Sequence, residues 1–266
     1  TLEPCNHQGK TPPCTQAIVD AGIKKVVYAV GDPNPIAAGG GEYLRTSGVE
    51  VERGLLESEA AFDNRAWLTK IEKQRPRITW KIASTMDGKV AAADGTSKWI
   101  TSELARADVA LLRSQTDSIV TSTATVKADN PLLTSKGAGK NPVRIVMGGS
   151  EIAASSQILN SDAETVVIKS RDLEEVITLA KARGFNQLLI ESGPTFGTAL
   201  LMAGLIDEVV LYQAPTFFGS GTPSISDLGI NSISQRLDFD IADVEVIGAD
   251  LKITLVKSQT NNGSER

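Results

Sequence analysis

The chain is poor in the residues that build metal centres and disulfide frameworks. Its 266 residues include two cysteines and one histidine, all three inside "EPCNHQGKTPPC", residues 3–14. Two cysteines cannot staple a chain of this length, so a reducing, cytoplasmic setting is the simpler reading. No apolar run approaches the roughly 18 residues that a membrane span needs. The formal net charge is −5 and no basic stripe occurs, which argues against nucleic acid as the main partner. No signal-peptide pattern opens the chain. It starts at Thr1, and "TLEPC" reads as the end of a strand already under way, so further residues are expected before it. Aromatic residues are few, but hydrophobic residues reach 41% against 22% charged, the balance of an ordinary globular protein with a sizeable core.

What is present is an alternation of strand and helix signals. "CTQAIVDAG" (14–22) sets Ile18 and Ala21 on one helical face and closes on Gly22. "KKVVYAVGDPNP" reads as a strand and turn, and "EYLRTSGVEVERG" as a helix, a glycine break and a strand. "ESEAAFDNRAWLTKIEKQRP" reads as one amphipathic helix stopped by Pro76. Residues 1–75 thus look like the later part of a small α/β domain. A second unit, 76–258, begins with a strand over 78–85. The helix over 101–115 is capped by Thr101 or Ser102, with Leu104, Ala107, Val109, Leu111 and Leu112 as its apolar side. Strands are predicted over 117–122, 142–148, 163–170, 186–192, 206–215, 242–248 and 251–256, and helices over 172–183 and 195–203. Ala249 and Asp250 signal a hairpin between the last two strands. The pattern predicts a largely parallel sheet with an antiparallel end. The polar tail, 259–266, is expected to be disordered.

Several stretches carry chemistry. Base deaminases hold zinc with H-x-E and a later P-C-x-x-C, and Pro4-Cys5 with Pro13-Cys14 is a lengthened version of the second half. Two inert thiols, or a disulfide between them, are the alternatives. His7 lies too near Cys5 in sequence to favour joining both thiols around a tetrahedral metal. The double Pro-Cys pattern, with a helix starting at Cys14, favours a zinc half-site. In "ESGPTFGTALL" a strand ends at Glu191, Gly193 allows close backbone approach, and a helix starts near Thr195. Such a helix start suits a pyrophosphate, although a plain strand–helix turn uses glycine equally well. Arg113 sits on the polar edge of its helix, where a solvated arginine is the plainer reading. Lys81, inside "ITWKIAS", is either an edge lysine or a site residue.

Taken together, "TLEPCNHQGKTPPCTQAI", "DPNP", "KIASTMDGKVA", "SKWIT", "STATVKADNPLLT" and "ESGPTFGTALL" resemble, in order and from Thr1 to about Val256, the bifunctional riboflavin-biosynthesis enzymes. Those enzymes couple a pyrimidine deaminase to a reductase of the phosphoribosylamino uracil intermediate. The resemblance implies an α/β chain: a dihydrofolate-reductase-like reductase domain over 76–258, preceded by the C-terminal part of a cytidine-deaminase-like domain over 1–75. The deaminase histidine ligand and catalytic glutamate are then expected upstream of Thr1, with Cys5 and Cys14 as zinc ligands. The resemblance further implies NADPH at Ala83, Trp99, Thr125, Asp129 and the run Gly193, Pro194, Thr195, Phe196, Gly197, Thr198 and Ala199. It implies a phosphorylated pyrimidine substrate at Lys81, Ser97, Arg113, Leu133, Lys136 and Glu191, and a homodimer or higher homo-oligomer. Lys136 stands where the family commonly has arginine, which keeps the charge and loses the planar fork. Asp129 and Glu191 are the nearest candidates to polarise or orient the sugar. Two rival readings are a reductase alone, with a deaminase remnant that only packs, and a non-catalytic scaffold.

Overall fold

The structure is a computed structural model that describes residues 1–258; the expected disordered tail lies outside the described residues. The chain divides into two compact units, Thr1–Pro76 and a second from Arg77 onward.

The first unit contains α1 (Cys14–Asp20), β1 (Lys25–Tyr28), α2 (Gly40–Thr46), β2 (Glu50–Arg53), α3 (Glu57–Asp63) and α4 (Arg65–Lys73). β1 and β2 pair in parallel, and Leu2 bridges to Val30. The start of α2 is pressed against the cysteine loop: a Cβ on Gly40 would strike the Pro4 carbonyl. The Glu3 carboxylate fixes the same region by accepting the Gly41 and Asp32 N–H groups at 2.7 and 3.0 Å. The single helix expected from Glu57 to Pro76 is in fact two. Asn64 turns its side-chain amide onto the Ala60 carbonyl at 2.8 Å and leaves helical geometry, at φ −95° and ψ 8°, as short amide side chains do when they compete for the backbone. α4 then stops at left-handed Gln74, ahead of the conformational restriction that Pro76 imposes on Arg75.

The second unit contains β3 (Arg77–Thr85), β4 (Lys89–Ala91), α5 (Glu103–Ser114), β5 (Ser118–Ser122), α6 (Thr123–Asp129), β6 (Val143–Met147), β7 (Thr165–Ile168), α7 (Leu173–Ala182), β8 (Gln187–Ile190), α8 (Pro194–Met202), β9 (Glu208–Ala214), β10 (Thr222–Pro223), β11 (Phe239–Ile247) and β12 (Asp250–Lys257). Among the described residues the main sheet has the order β11-β12-β9-β3-β8-β5-β6-β7. The strands from β9 to β7 run parallel, and β12 and β11 are antiparallel additions, the arrangement expected from the sequence. Ile78, Trp80 and Ile82 of β3 join one core with Val176, Leu188, Ile190 and Leu200. Val210 and Tyr212 of β9 pack with Ala105 and Val109 of α5 in another.

Two details differ from expectation. Ser102 caps α5, its hydroxyl accepting the Ala105 N–H at 3.3 Å, but the buried face runs through Ala105, Val109 and Ala110, while Leu104 and Leu111 are 60% and 46% exposed. Small alanines let the helix lie close to the sheet and turn the leucines outward. The hairpin turn is Gly248–Ala249, since Ile247 pairs with Asp250; Gly248 takes the left-handed conformation, φ 63°, that such tight turns require.

One feature of the sheet positions the site. β3 pairs with β8 only as far as Trp80 opposite Ile190. Its pairing with β9 continues to Thr85 opposite Ala214. Past Trp80 the two central strands part, and that edge of β3 carries main-chain groups that no strand among the described residues pairs.

Candidate active site

A cavity of about 790 Å³ lies at this parting. Lys81 and Ala83 of β3, Ser97 and Trp99 of the following loop, and Arg113 of α5 line one part of it. Thr125 and Asp129 of α6, Leu133, Lys136, Glu191 and the turn Gly193–Phe196 line the rest. Gly197, Thr198 and Ala199 do not line it. A Cβ on Gly197 would overlap the Trp80 indole, so this glycine serves packing. Thr198 turns its hydroxyl to the Ser226 N–H at 2.9 Å, and Ala199 is exposed.

A buried ion cluster sits in the cavity wall. Arg113 gives Nε and Nη2 to the two oxygens of Glu191, at 2.5 and 2.9 Å, and Nη1 to the Thr134 carbonyl at 3.1 Å. Lys81 Nζ stands 3.6 Å from the same carboxylate. Burial alone would push the Glu191 carboxyl up; the Arg113 guanidinium and then the Lys81 ammonium outweigh it and hold the carboxyl down at about 2. Glu191 is therefore ionised near neutral pH and has no proton to donate. Arg113 is not a solvated surface arginine. α5, which carries it, is fixed by Asp108, which accepts the Tyr212 hydroxyl at 2.5 Å and pairs with Lys252 at 3.1 Å.

Also in the lining, three hydroxyls form a closed triangle: Ser122 to Thr125 at 3.0 Å, Thr125 to Ser192 at 3.1 Å, and Ser192 to Ser122 at 2.9 Å. The Gly193 N–H joins it through Thr125 Oγ1 at 3.2 Å. Gly193 caps α8 with φ −62° and ψ 169°, followed by Pro194. A Cβ built there meets no atom of the described residues within 4 Å, and the first-turn N–H groups of Thr195 and Phe196 have no intrahelical acceptor. This turn is an open cradle that a pyrophosphate fits. Among the described residues the cavity lining holds five cations, Lys81, Lys98, Arg106, Arg113 and Lys136, against two carboxylates, Asp129 and Glu191. That excess of three positive charges, in a chain of net charge −5, marks a site for anionic ligands.

The chain matches the family model described as RibD C-terminal domain over residues 76–253. It is 41% identical over 262 residues to the riboflavin biosynthesis protein RibD of Mycobacterium tuberculosis, covering 96% of this chain and 77% of that protein. The chain belongs to the RibD family. To RibD of Escherichia coli it is 34% identical, with 96% and 80% of the two chains covered. Among solved structures it resembles a Thermotoga maritima diaminohydroxyphosphoribosylaminopyrimidine deaminase/5-amino-6-(5-phosphoribosylamino)uracil reductase, with TM-score 0.85 and 32% identity over 97% of this chain and 78% of that one. Acinetobacter baumannii RibD is equally similar, with TM-score 0.85, 34% identity and 97% and 80% coverage.

In this member of the RibD family the loop that carries Leu133 and Lys136 is held in an uncommon shape. Asn130, Leu133 and Lys136 all have positive φ, 45°, 51° and 50°. Buried Arg144 braces the loop by donating to the Leu132 carbonyl at 3.2 Å, alongside the bond from Arg113 to Thr134. Sequence reasoning did not find Ser122, Ser192, Lys98 or Arg106. Serine and lysine carry no local signal of a site. Arg106, seven residues before Arg113, was detectable only by helical spacing.

The cysteines of the first unit are close together at the start of α1, where the Cys14 N–H donates to Cys5 Sγ at 3.4 Å. Both are free thiols. Among the described residues no group of three or more His, Cys, Asp or Glu side chains could hold a metal ion. Two thiols do not fit a tetrahedral zinc by themselves, so no step is derived through zinc.

Proposed function

We propose that the second unit reduces the phosphoribosylamino group of a 5-amino-6-(5-phosphoribosylamino)uracil to the ribitylamino form, with NADPH as reductant. The observation that carries this reading is the cation-rich cavity at the parting of β3 and β8, flanked by the Gly193 cradle. NADPH, when bound, supplies the hydride. The free edge of β3 at Ala83 offers main-chain hydrogen bonds to an amide such as the nicotinamide carboxamide. The Gly193–Phe196 turn and Thr125 hold the pyrophosphate, and Trp99, 66% exposed at the cavity, covers the ring. Ionised Glu191 accepts N–H groups of the pyrimidine, while Arg113 and Lys81 keep it charged and in place. Its role is orientation, and Asp129 remains the side chain available to orient the sugar. Ser97, Leu133 and Lys136 complete the substrate wall.

The first unit is read as the later part of a deaminase domain, with Cys5 and Cys14 as two of its zinc ligands. A reductase whose first unit only packs is the second reading. Free thiols accord with a cytoplasmic location. Among the described residues no helix is long and apolar enough to cross a membrane. A homo-oligomer through the edge strand β11 is supported by exposed Ile241, Val244 and Val246 on a strand that, among the described residues, is paired on one side only. The binding test is titration of the chain with NADPH, read by tryptophan emission. Saturable quenching is expected; a folded chain that binds neither NADPH nor NADH would remove the reading.

A further inference from the structure

Asp87, in the stretch "STMDGKVA" that closes β3, does not line the cavity, yet its carboxylate collects three donors. The Thr85 hydroxyl donates to Oδ1 at 2.6 Å, and the Phe218 and Gly219 N–H groups reach Oδ1 and Oδ2 at 3.2 and 2.7 Å. The Thr85 hydroxyl, and then the two N–H groups, hold this carboxyl below its ordinary range, so it is ionised near neutral pH. Its bonds join segments 131 residues apart. One is the connection from β3 to α5, which carries Val90, Ser97, Lys98 and Trp99 into the cavity lining; the other leaves β9 and brings Thr222 and Ser224 there. Next to Asp87 the two segments meet as a narrow ribbon. The Met86 N–H donates to the Thr216 carbonyl and the Ser224 N–H to the Gly88 carbonyl, both at 2.8 Å. β4 pairs with β10, and Gly221 passes so close that a Cβ on it would strike the Ala91 carbonyl. β10 is only Thr222 and Pro223, and proline brings no N–H to a ladder. A two-stranded ribbon this short is marginal by itself, so it depends on its side-chain anchor.

We propose that Asp87 is a positioning residue of the reductase site: its carboxylate seats the β4–β10 ribbon as a wall of the cavity and so sets the fraction of molecules in which Ser97 and Trp99 stand ready for ligands. The inference rests on the reductase reading and adds to it a residue that touches neither ligand. A ligand that needs the seated wall binds with its intrinsic Kd divided by the seated fraction. With both ligands bound the wall is seated, and the chemical step is unchanged.

The test uses the full chain with Asp87→Asn, which turns a donor amide towards groups that themselves donate. Asp117→Asn is the matched control. Asp117 also accepts two main-chain N–H groups, of Asn186 and Gln187 at 2.7 and 3.0 Å, but at the starts of β5 and β8, whereas Ser122 and Glu191 line the cavity at their ends. Expected for Asp87→Asn is a roughly tenfold rise in the Kd of NADPH and of the phosphorylated pyrimidine, each measured alone by calorimetry, with kcat at saturation within about twofold of native. Asp117→Asn lowers the thermal midpoint and moves neither Kd. If Asp87→Asn behaves like that control, or lowers kcat with both Kd values unchanged, the proposal is overturned. Amide hydrogen exchange of the ligand-free chain separates the proposal from the reductase reading, because it needs neither ligand nor turnover. Asp87→Asn should speed exchange at Met86, Lys89 and Ser224 and not in β8. If the native chain binds neither ligand but exchange follows this pattern, the anchor stands and the reductase reading falls; unchanged exchange means that Asp87 seats nothing. Thr85→Val removes one donor to Asp87 and the acceptor of the Lys89 N–H at 2.9 Å. It should move the same quantities in the same direction by less, and it serves if the asparagine variant does not fold.

Discussion

Replacing Glu191 by glutamine removes one charge and keeps the shape. The native carboxylate is 8% exposed, accepts two N–H groups of Arg113 at 2.5 and 2.9 Å, and lies 3.6 Å from Lys81. It titrates at about 2 instead of the ordinary 4.5. Each pKa unit is worth about 1.4 kcal/mol, so ionisation of Glu191 contributes roughly 3 kcal/mol to folding. The folded pKa lies below the unfolded one. The contribution is therefore complete above about pH 4.5 and is lost as pH falls towards about 2. Glu191→Gln also leaves Arg113 and Lys81 in a mostly buried site without their counter-charge, a change that costs about 3–5 kcal/mol in such pairs. Urea unfolding followed by tryptophan emission, across acid and neutral pH, measures both effects. The variant should be less stable by about that amount at neutral pH, and the gap should narrow as pH falls from about 4.5 to about 2. A gap that stays constant through that window would refute the assignment of the low pKa to Glu191.

Other consequences can be checked independently. Gly193→Val should weaken NADPH by about 2 kcal/mol or more with little change in stability, because its Cβ meets only open space in the cradle; unchanged affinity in a folded variant would remove this turn from the site. Gly197→Ala should do the reverse, lowering the thermal midpoint through overlap with Trp80, an overpacking cost of about 1–3 kcal/mol; an unchanged midpoint would contradict the packing role. Metal analysis of the 266-residue chain should find well under one zinc per chain, and a stoichiometric zinc would mean that another donor completes the Cys5–Cys14 pair. Val246→Lys on β11 should lower the sedimentation mass if that edge joins two copies, and an unchanged assembly would place the interface elsewhere.

Much of the architecture was legible because parallel strands announce themselves as short apolar runs between helical segments. What was not legible has identifiable physical causes. α6 was missed because "TATVKAD" is short and rich in β-branched residues, which read as strand; the Ser122 cap and burial of Val126 make it a helix. The apolar side of α5 was misjudged because leucines outrank alanines on any hydrophobicity scale, while close approach to the sheet selects Ala105 and Ala110. The single helix before Pro76 broke at Asn64, where a side-chain bond competes with the ladder. The site residues were named by resemblance, but their pairing was not. Arg113 and Glu191 are 78 residues apart, and no local pattern reveals that one neutralises the other. The same holds for the triangle of Ser122, Thr125 and Ser192, which closes only when β5 and β8 lie side by side.

The central claim is that this cavity reduces a phosphoribosylamino uracil at the expense of NADPH. The direct measurement is the substrate-dependent loss of reduced-nicotinamide absorbance with the purified chain, with the ribitylamino product identified by mass. The account predicts stoichiometric NADPH oxidation and a product heavier than the substrate by two hydrogens, with Glu191→Gln strongly impaired. A folded chain that binds NADPH and the substrate but forms no reduced product would contradict it.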